Sequence, residues 1–215
     1  MSTKANSLVI AIDGTFASGK GTLGKRLAAH YGLAYLDTGK LYRAVAKVML
    51  EADQNPDDPV QAKVAVAKID IDKLDDPMLK SGPVGAAASK VAVHTDVRAA
   101  LLDFQRNFAA QGAVLDGRDI GTVICPKAPV KLYVDAKPEE RARRRHAELI
   151  GYGEDITLDT VSAQLAERDG RDANRREAPL KPAPDAHFLD TTHLSIDAAF
   201  QAACRLIDAI LSAKD

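Results

Sequence analysis

The chain has 215 residues, of which 46% are hydrophobic and 27% charged, and a formal net charge of -1. That length suits one domain with a sizeable core, and the composition argues against a disordered, collagen-like or membrane-spanning chain. A charge so close to zero gives no general pull towards nucleic acid or anionic membranes, so any anion site has to be local.

Cys125 and Cys204 lie far apart without a CxxC or Cys/His pattern, so no disulfide framework or zinc site is expected and a reducing cytoplasm fits. The five histidines have neither triad nor metal spacing. The N-terminal stretch MSTKANS has one basic residue, and the apolar run after it is too short for a signal-peptide core. The chain is therefore expected to enter its first strand directly.

That strand is Leu8 to Ile12, a β-branched run of the kind buried on both faces of a parallel sheet. It leads into IDGTFASGKGT, Ile12 to Thr22, and then into a helix through Leu23, Leu27 and Ala28. Gly14, Gly19 and Lys20 have the spacing of a phosphate loop. In such a loop backbone N–H groups surround an anion at a helix N-terminus, and the lysine reaches the terminal phosphates. The hydroxyl expected directly after the lysine is displaced to Thr22, with Gly21 between. This pattern fits a kinase or a switch GTPase, but a guanine-reading NKxD motif is absent.

Next comes LDTGKLYR, Leu36 to Arg43, and then a stretch from Asp53 to Pro83 rich in proline and aspartate, with weak periodicity, that reads as an insertion. Asp96 is a start signal for a helix carrying Val97, Leu101, Phe104 and Phe108. A strand over Ala113–Leu115 leads into LDGRDIGT, Leu115 to Thr122, and another strand covers Val130–Val134. The basic run ERARRR, Glu140 to Arg145, has Glu139, Glu140 and Glu148 at helical pairing distances, which suits a solvated helix face better than a nucleic-acid patch. Thr157 starts a helix with Leu158, Val161 and Leu165 that ends in ERDGRDANR, Glu167 to Arg175. A strand at His187–Leu189 and a helix from Ser195 through Ile196 and Ala199 complete the alternation of a layered α/β fold.

Arginine's planar fork matches phosphate bidentately, so Arg43, Arg118 and Arg175 are candidate clamps on a second phosphorylated ligand. Each taken singly reads as a surface ion pair. Ser89 alone reads as a helix-surface serine, Arg98 as a solvated helix residue, Asp119 as an Asx turn and Asp116 as a turn cap.

Taken together, the GKGT form of the loop, LDTGKLYR, LDGRDIGT and ERDGRDANR resemble the nucleoside monophosphate kinases, and among them the bacterial cytidylate kinase family, over roughly Ser7 to Val48 and Val84 to Ile196. The resemblance implies a P-loop NTPase three-layer sandwich with a central parallel sheet. It would be a single domain over 1–215, with its core at about 7–50 and 84–215. A reduced NMP-binding insertion would span about 53–83, and a short lid about 150–159 would include Gly151 and Gly153. The implied reaction moves the γ-phosphate of ATP to CMP or dCMP with Mg2+, in a cytoplasmic monomer.

Carried over residue by residue, Gly14, Thr15, Phe16, Ala17, Ser18, Gly19, Lys20, Gly21 and Thr22 would hold ATP. Thr22 and Asp116 would serve the magnesium ion, partly through water. Lys20, Arg118 and Arg175 would stabilise the moving phosphoryl group. Thr38, Tyr42 and Arg43 would approach the acceptor phosphate together with Arg118 and Arg175, and Arg168 and Asp172 the ribose. Ser89, Arg98 and Asp119 would read cytosine, whose amino group a carboxylate can accept. Some of Arg141, Arg144 and Arg145 would reach ATP. The sequence departs from the family pattern at Lys40, where a small or apolar residue is usual, and at Thr15-Phe16, in place of a proline and a small residue. The competing readings are another small-molecule P-loop kinase, of UMP/CMP or shikimate type, and a non-catalytic nucleotide-dependent regulator, which would not need paired acceptor arginines.

Overall fold

The computed structural model of the protein describes residues 8–213, so residues 1–7, expected to lead straight into the first strand, lie outside it. Five strands form one all-parallel sheet: β1 (Val9–Gly14), β2 (Ala34–Asp37), β3 (Ala113–Gly117), β4 (Val130–Asp135) and β5 (His187–Asp190). Their spatial order is β2-β3-β1-β4-β5. Central β1 places Ile12 opposite Asp116 on one side and opposite Leu132 on the other.

Successive strand residues point to opposite faces, and both faces of β1 are covered. Ile10 and Ile12 pack on Leu23 and Leu27 of α1 (Lys20–Tyr31) and on Ala203 and Ile207 of α8 (Ile196–Ser212). Ala11 turns the other way, towards Leu36, Leu115, Ile120 and Ala109 of α5 (Thr95–Ala109). That two-sided burial explains why the strand is apolar from Val9 to Ile12. β2 is too short to announce itself, since only Leu36 of its four residues is fully buried.

The segment 53–83 is helical. Following α2 (Thr38–Glu51), the carboxylate of Asp58 accepts from the amides of Val60 and Gln61 at 2.8 and 3.1 Å and starts α3 (Pro59–Val66). Single 3-10 turns follow at Ile71–Lys73 and Pro77–Lys80. The inward residues Ala62, Ala65 and Leu79 share a core with Val45 and Met49 of α2, with Val84 and Val91 of α4 (Gly82–Val91), and with Val97 of α5. Alanines give little hydrophobic contrast, which is why the helical period is faint in the sequence.

Thr157 and Ser195 start their helices as expected, their hydroxyls accepting from the amides of Thr160 and Ala198 at 3.2 and 3.1 Å. Asp96 does not. α5 begins two residues earlier than that signal implies, at Thr95 after His94, and Asp96 sits in its first turn, paired with Lys63 at 3.0 Å. α6 (Pro138–Gly151) and α7 (Leu158–Asn174) pack through Ala142, Leu149, Val161 and Leu165. The segment 150–159 comprises the end of α6, a short loop and the start of α7, and in that loop Glu154 accepts from the α4 backbone amide of Gly82 at 2.7 Å. Cys125 and Cys204 form no disulfide. Among the described residues no helix is long and apolar enough to cross a membrane.

Candidate active site

In open parallel sheets ligands bind outside the carboxyl ends of the strands, and here the ends of β1, β3 and β4 converge on the glycine loop. Gly14 opens that loop with φ +149°, and a Cβ there would lie 1.9 Å from the Val134 carbonyl oxygen. The hydroxyl of Thr15 donates to Asp135 at 2.5 Å and that of Ser18 to the Thr15 carbonyl at 3.0 Å, so the loop is braced from β4 and from within. Ala17 holds a left-handed φ of +61°. No side chain caps the N-terminus of α1, and Gly19, Lys20, Gly21 and Thr22 line a cavity there. Uncapped first-turn amides and the helix dipole suit that cavity to an anion.

Lys20 is buried and donates to the Thr15 carbonyl at 3.1 Å. Burial, then the Arg118 charge, pull its pKa far down. Asp116, at the end of β3, is equally buried, and burial and the neighbouring Asp37 carboxylate push its pKa up. The Tyr35 hydroxyl donates to one Asp116 oxygen, and the Asp116 carbonyl accepts from Thr38 Oγ1 at 2.9 Å. Tyr35 passes directly under α1, where a Cβ on Gly24 would meet its ring at 2.8 Å. Gly24→Ala is therefore expected to lower unfolding stability by about 1–3 kcal/mol through overpacking. A urea midpoint equal to that of the parent would show that the ring yields freely.

The chemistry of this cavity fits a magnesium ion. Asp37, Asp116 and Thr22 reach the region of the buried Lys20, while among the described residues no three His, Cys, Asp or Glu side chains gather as a metal cage. Magnesium is commonly held by one or two carboxylates, several waters and the substrate's own phosphates.

A second cavity, lined by Thr38, Tyr42, Ser89, Arg98, Asp119 and Asp172 among others, adjoins the first. Arg98 is ion-paired with Asp119, both nearly buried, and its guanidinium lies 5.7 Å from the Tyr42 ring centre. Ser89 accepts from Arg171 Nε at 3.0 Å. Arg118 Nε donates to Asp172 at 2.8 Å, and Arg118 Nη1 to the Gly117 carbonyl at 3.2 Å. Arg175 spends one nitrogen on the Ala92 carbonyl at 3.4 Å, while its Nε and Nη2 are buried with no hydrogen-bond partner among the described residues. Leaving such donors unmet costs about 1–3 kcal/mol each, which an incoming anion would recover. Arg43 faces the first cavity and donates to the Leu79 carbonyl at 2.5 Å.

The arginine run of α6 divides by geometry. Arg141 is committed to Asp169 at 2.6 Å and to the carbonyls of Ala136 and Phe16. Arg144 faces a groove walled by Gly19, Thr22, Leu194, Ile196 and Ala199 and is held by the Thr191 carbonyl at 2.7 Å. Arg145 lines the same groove and the loop cavity.

Sequence reasoning missed Asp13, whose buried carboxylate accepts from the amides of Ile120 and Gly121 at 2.7 and 2.8 Å and so ties β1 to the turn after Arg118 and Asp119. Its position directly before Gly14 was the available signal. Nothing local marked Tyr35 or Glu154, whose partners lie far away in the chain.

A glycine loop of phosphate-loop spacing between the first strand and helix of a parallel sheet, with a second arginine-lined cavity adjoining it, is the arrangement of a P-loop kinase. The family described as cytidylate kinase matches residues 10–209. A cytidylate kinase of a Caulobacter species is 53% identical over 204 residues, covering 94% of each chain. One from Xanthobacter autotrophicus is 56% identical over 204 residues, covering 94% of this chain and 98% of that one. The chain belongs to the cytidylate kinase family. A solved structure of an uncharacterized protein from Eubacterium ventriosum shares the fold, with a TM-score of 0.54 at 18% identity over 96% of this chain and 99% of that one.

Proposed function

We propose that the chain transfers the γ-phosphoryl group of ATP to CMP or dCMP, giving ADP and CDP or dCDP. One observation carries this reading beyond family membership: Arg118 and Arg168 line both the loop cavity and the cavity of Asp119. The same two cations are thus placed within reach of both donor and acceptor, which suits a transfer that depends on positioning and charge neutralisation.

Such a transfer asks mainly for positioning and charge neutralisation. Lys20 and the first amides of α1 hold the donor phosphates, with Arg144 and Arg145 beside the groove that takes the rest of ATP. Arg118, fixed through Nε by Asp172, keeps Nη2 for the moving group. Arg175 offers its unpartnered Nε and Nη2 to the acceptor phosphate, with Arg43, Thr38 and Tyr42 completing the approach. That phosphate has a second pKa of about 6 and is already largely dianionic at neutral pH, so no general base is needed. Asp116 and Thr22 would hold a magnesium ion, directly or through water, which when bound adds positive charge at the donor phosphates.

Asp119 accepts from the cytosine amino group, Arg98 donates to O2 and N3, and Ser89 lies beside them. Uracil sets an acceptor against Asp119, an opposition worth about 1–3 kcal/mol. Magnesium-dependent ADP release with CMP, dCMP, UMP, AMP and shikimate tests the reading. CMP or dCMP should be used about tenfold to a hundredfold better than UMP. CMP-independent turnover, or none, sinks it.

Asp119→Asn should lower kcat/KM for CMP by about tenfold or more and affect UMP less. Equal losses on both would remove Asp119 from base reading. The proposal extends to a cytoplasmic monomer, and sedimentation at assay concentration checks the oligomeric state.

A further inference from the structure

Thr15 and Phe16 follow Gly14 in the glycine loop. The Thr15 hydroxyl braces the loop on Asp135, but Phe16 does something else. Three guanidinium groups surround its half-buried ring: the central carbon of Arg168 lies 4.0 Å from the ring centre, that of Arg145 5.4 Å and that of Arg43 5.8 Å. They come from α7, α6 and α2, so the ring, carried on the donor loop, is where three separate elements meet.

Arg145 is paired with Glu148 at 2.7 Å, but Arg168 has only a distant carboxylate, and the three cations also repel one another. Burial, then the Arg145 charge, weaken the Arg43 cation, and burial, then the Arg118 charge, weaken that of Arg168. Arg168 Nε is buried without a hydrogen-bond partner, 4.0 Å from Asp172. The negative face of an aromatic ring attracts a cation within about 6 Å, and more strongly once water is excluded. The ring is held in place, packing against the Ala142, Leu149, Val161 and Leu165 cluster, while the Phe16 carbonyl accepts from Arg141 at 3.2 Å.

We propose that Phe16 is a positioning residue of the transfer site: its ring gathers Arg43, Arg145 and Arg168 into one cage and, together with the Gly85 carbonyl that accepts from Arg168 Nη1 at 3.4 Å, holds Arg168 in place, leaving its Nε for phosphate oxygens. A planar guanidinium stacked on a ring keeps its in-plane donors available, which an ammonium cannot match.

The inference rests on CMP phosphorylation. Absence of CMP-dependent turnover in the parent would overturn both readings, whereas an active parent separates them. The test is steady-state kinetics of Phe16→Leu, Phe16→Tyr, Arg168→Lys and the double variant Phe16→Leu/Arg168→Lys, with Tm measured on each. Leucine keeps apolar bulk against α6 and α7 and removes the π face, while tyrosine keeps both. Phe16→Leu should lower kcat by about fivefold to thirtyfold with KM for ATP and Tm little changed, and Phe16→Tyr should stay within about twofold of the parent. In the Arg168→Lys background, Phe16→Leu should add less than about twofold. Parent-like activity in Phe16→Leu, an equal fall in Phe16→Tyr, or losses that add in the double variant would each overturn the role. Should Phe16→Leu fail to fold, Phe16→Met makes the same comparison.

Discussion

Lys20→Ala lowers kcat for CMP-dependent ADP release by about a thousandfold while the fold survives, the size expected when a preorganised donor to a developing charge is removed. Lys20 is buried beside Arg118, and its charge is disfavoured by that burial and by that neighbour. Its ammonium makes one hydrogen bond, to the Thr15 carbonyl. Removing it in the absence of nucleotide relieves burial and the repulsion from Arg118 but takes a cation from Asp116 and Asp37; these effects oppose one another, and Tm should stay within a few degrees of the parent. Loss of turnover with Tm preserved marks a residue kept for the ligand. Near-normal kcat in the folded variant would remove Lys20 from the transfer.

Arg118→Ala should cost about a hundredfold to a thousandfold in kcat, but with a different companion effect. Burial alone would raise the pKa of Asp172, yet Arg118, Arg168 and Arg175 hold it below its ordinary value. Taking away Arg118 strips the nearest of these partners from a carboxylate that is 4% exposed, and breaking a buried pair in this way costs about 3–5 kcal/mol. Activity and stability fall together, which by itself says little about role. The double variant Arg118→Ala/Asp172→Asn separates them, because the neutral amide needs no counter-charge. Stability by urea unfolding should recover much of the loss while kcat stays low. Recovery of kcat alongside stability would make Arg118 a structural partner of Asp172 and nothing more.

What the sequence disclosed follows from distance along the chain. The glycine loop is legible because strand, turn, anion site and helix occupy consecutive residues, and the DGRD and RDGRDANR stretches each pack arginines and carboxylates into a few positions. Arg118 with Asp172, and Arg98 with Asp119, join residues that no local pattern links. The family resemblance gathered all four around the acceptor, Arg118 at its phosphate, Asp172 at its ribose and Arg98 and Asp119 at its base, but the pairs themselves emerge only in three dimensions. The helices of 53–83 were hidden because alanines fill their inward positions, and β2 because one buried leucine makes no alternation. Asp96 drew attention as a start signal through its side chain, although the helix begins at Thr95 and Asp96 serves its first turn. Arg141, Arg144 and Arg145, alike on paper, are told apart by Asp169, Thr191 and Phe16, which lie outside their helix.

The Glu154 carboxylate, seated on the backbone amide of Gly82, makes a light fastening between the loop after α6 and the start of α4. It serves the first turn of α4 from a different part of the chain, since Ser81 supplies no side-chain bond there. Capping interactions of this kind are worth about 0.5–2 kcal/mol, so the detached state amounts to roughly one molecule in three to one in thirty at any instant. A catch that weak is released by thermal motion alone. The contact favours the joined arrangement of that loop and α4 while leaving the separated one within easy thermal reach.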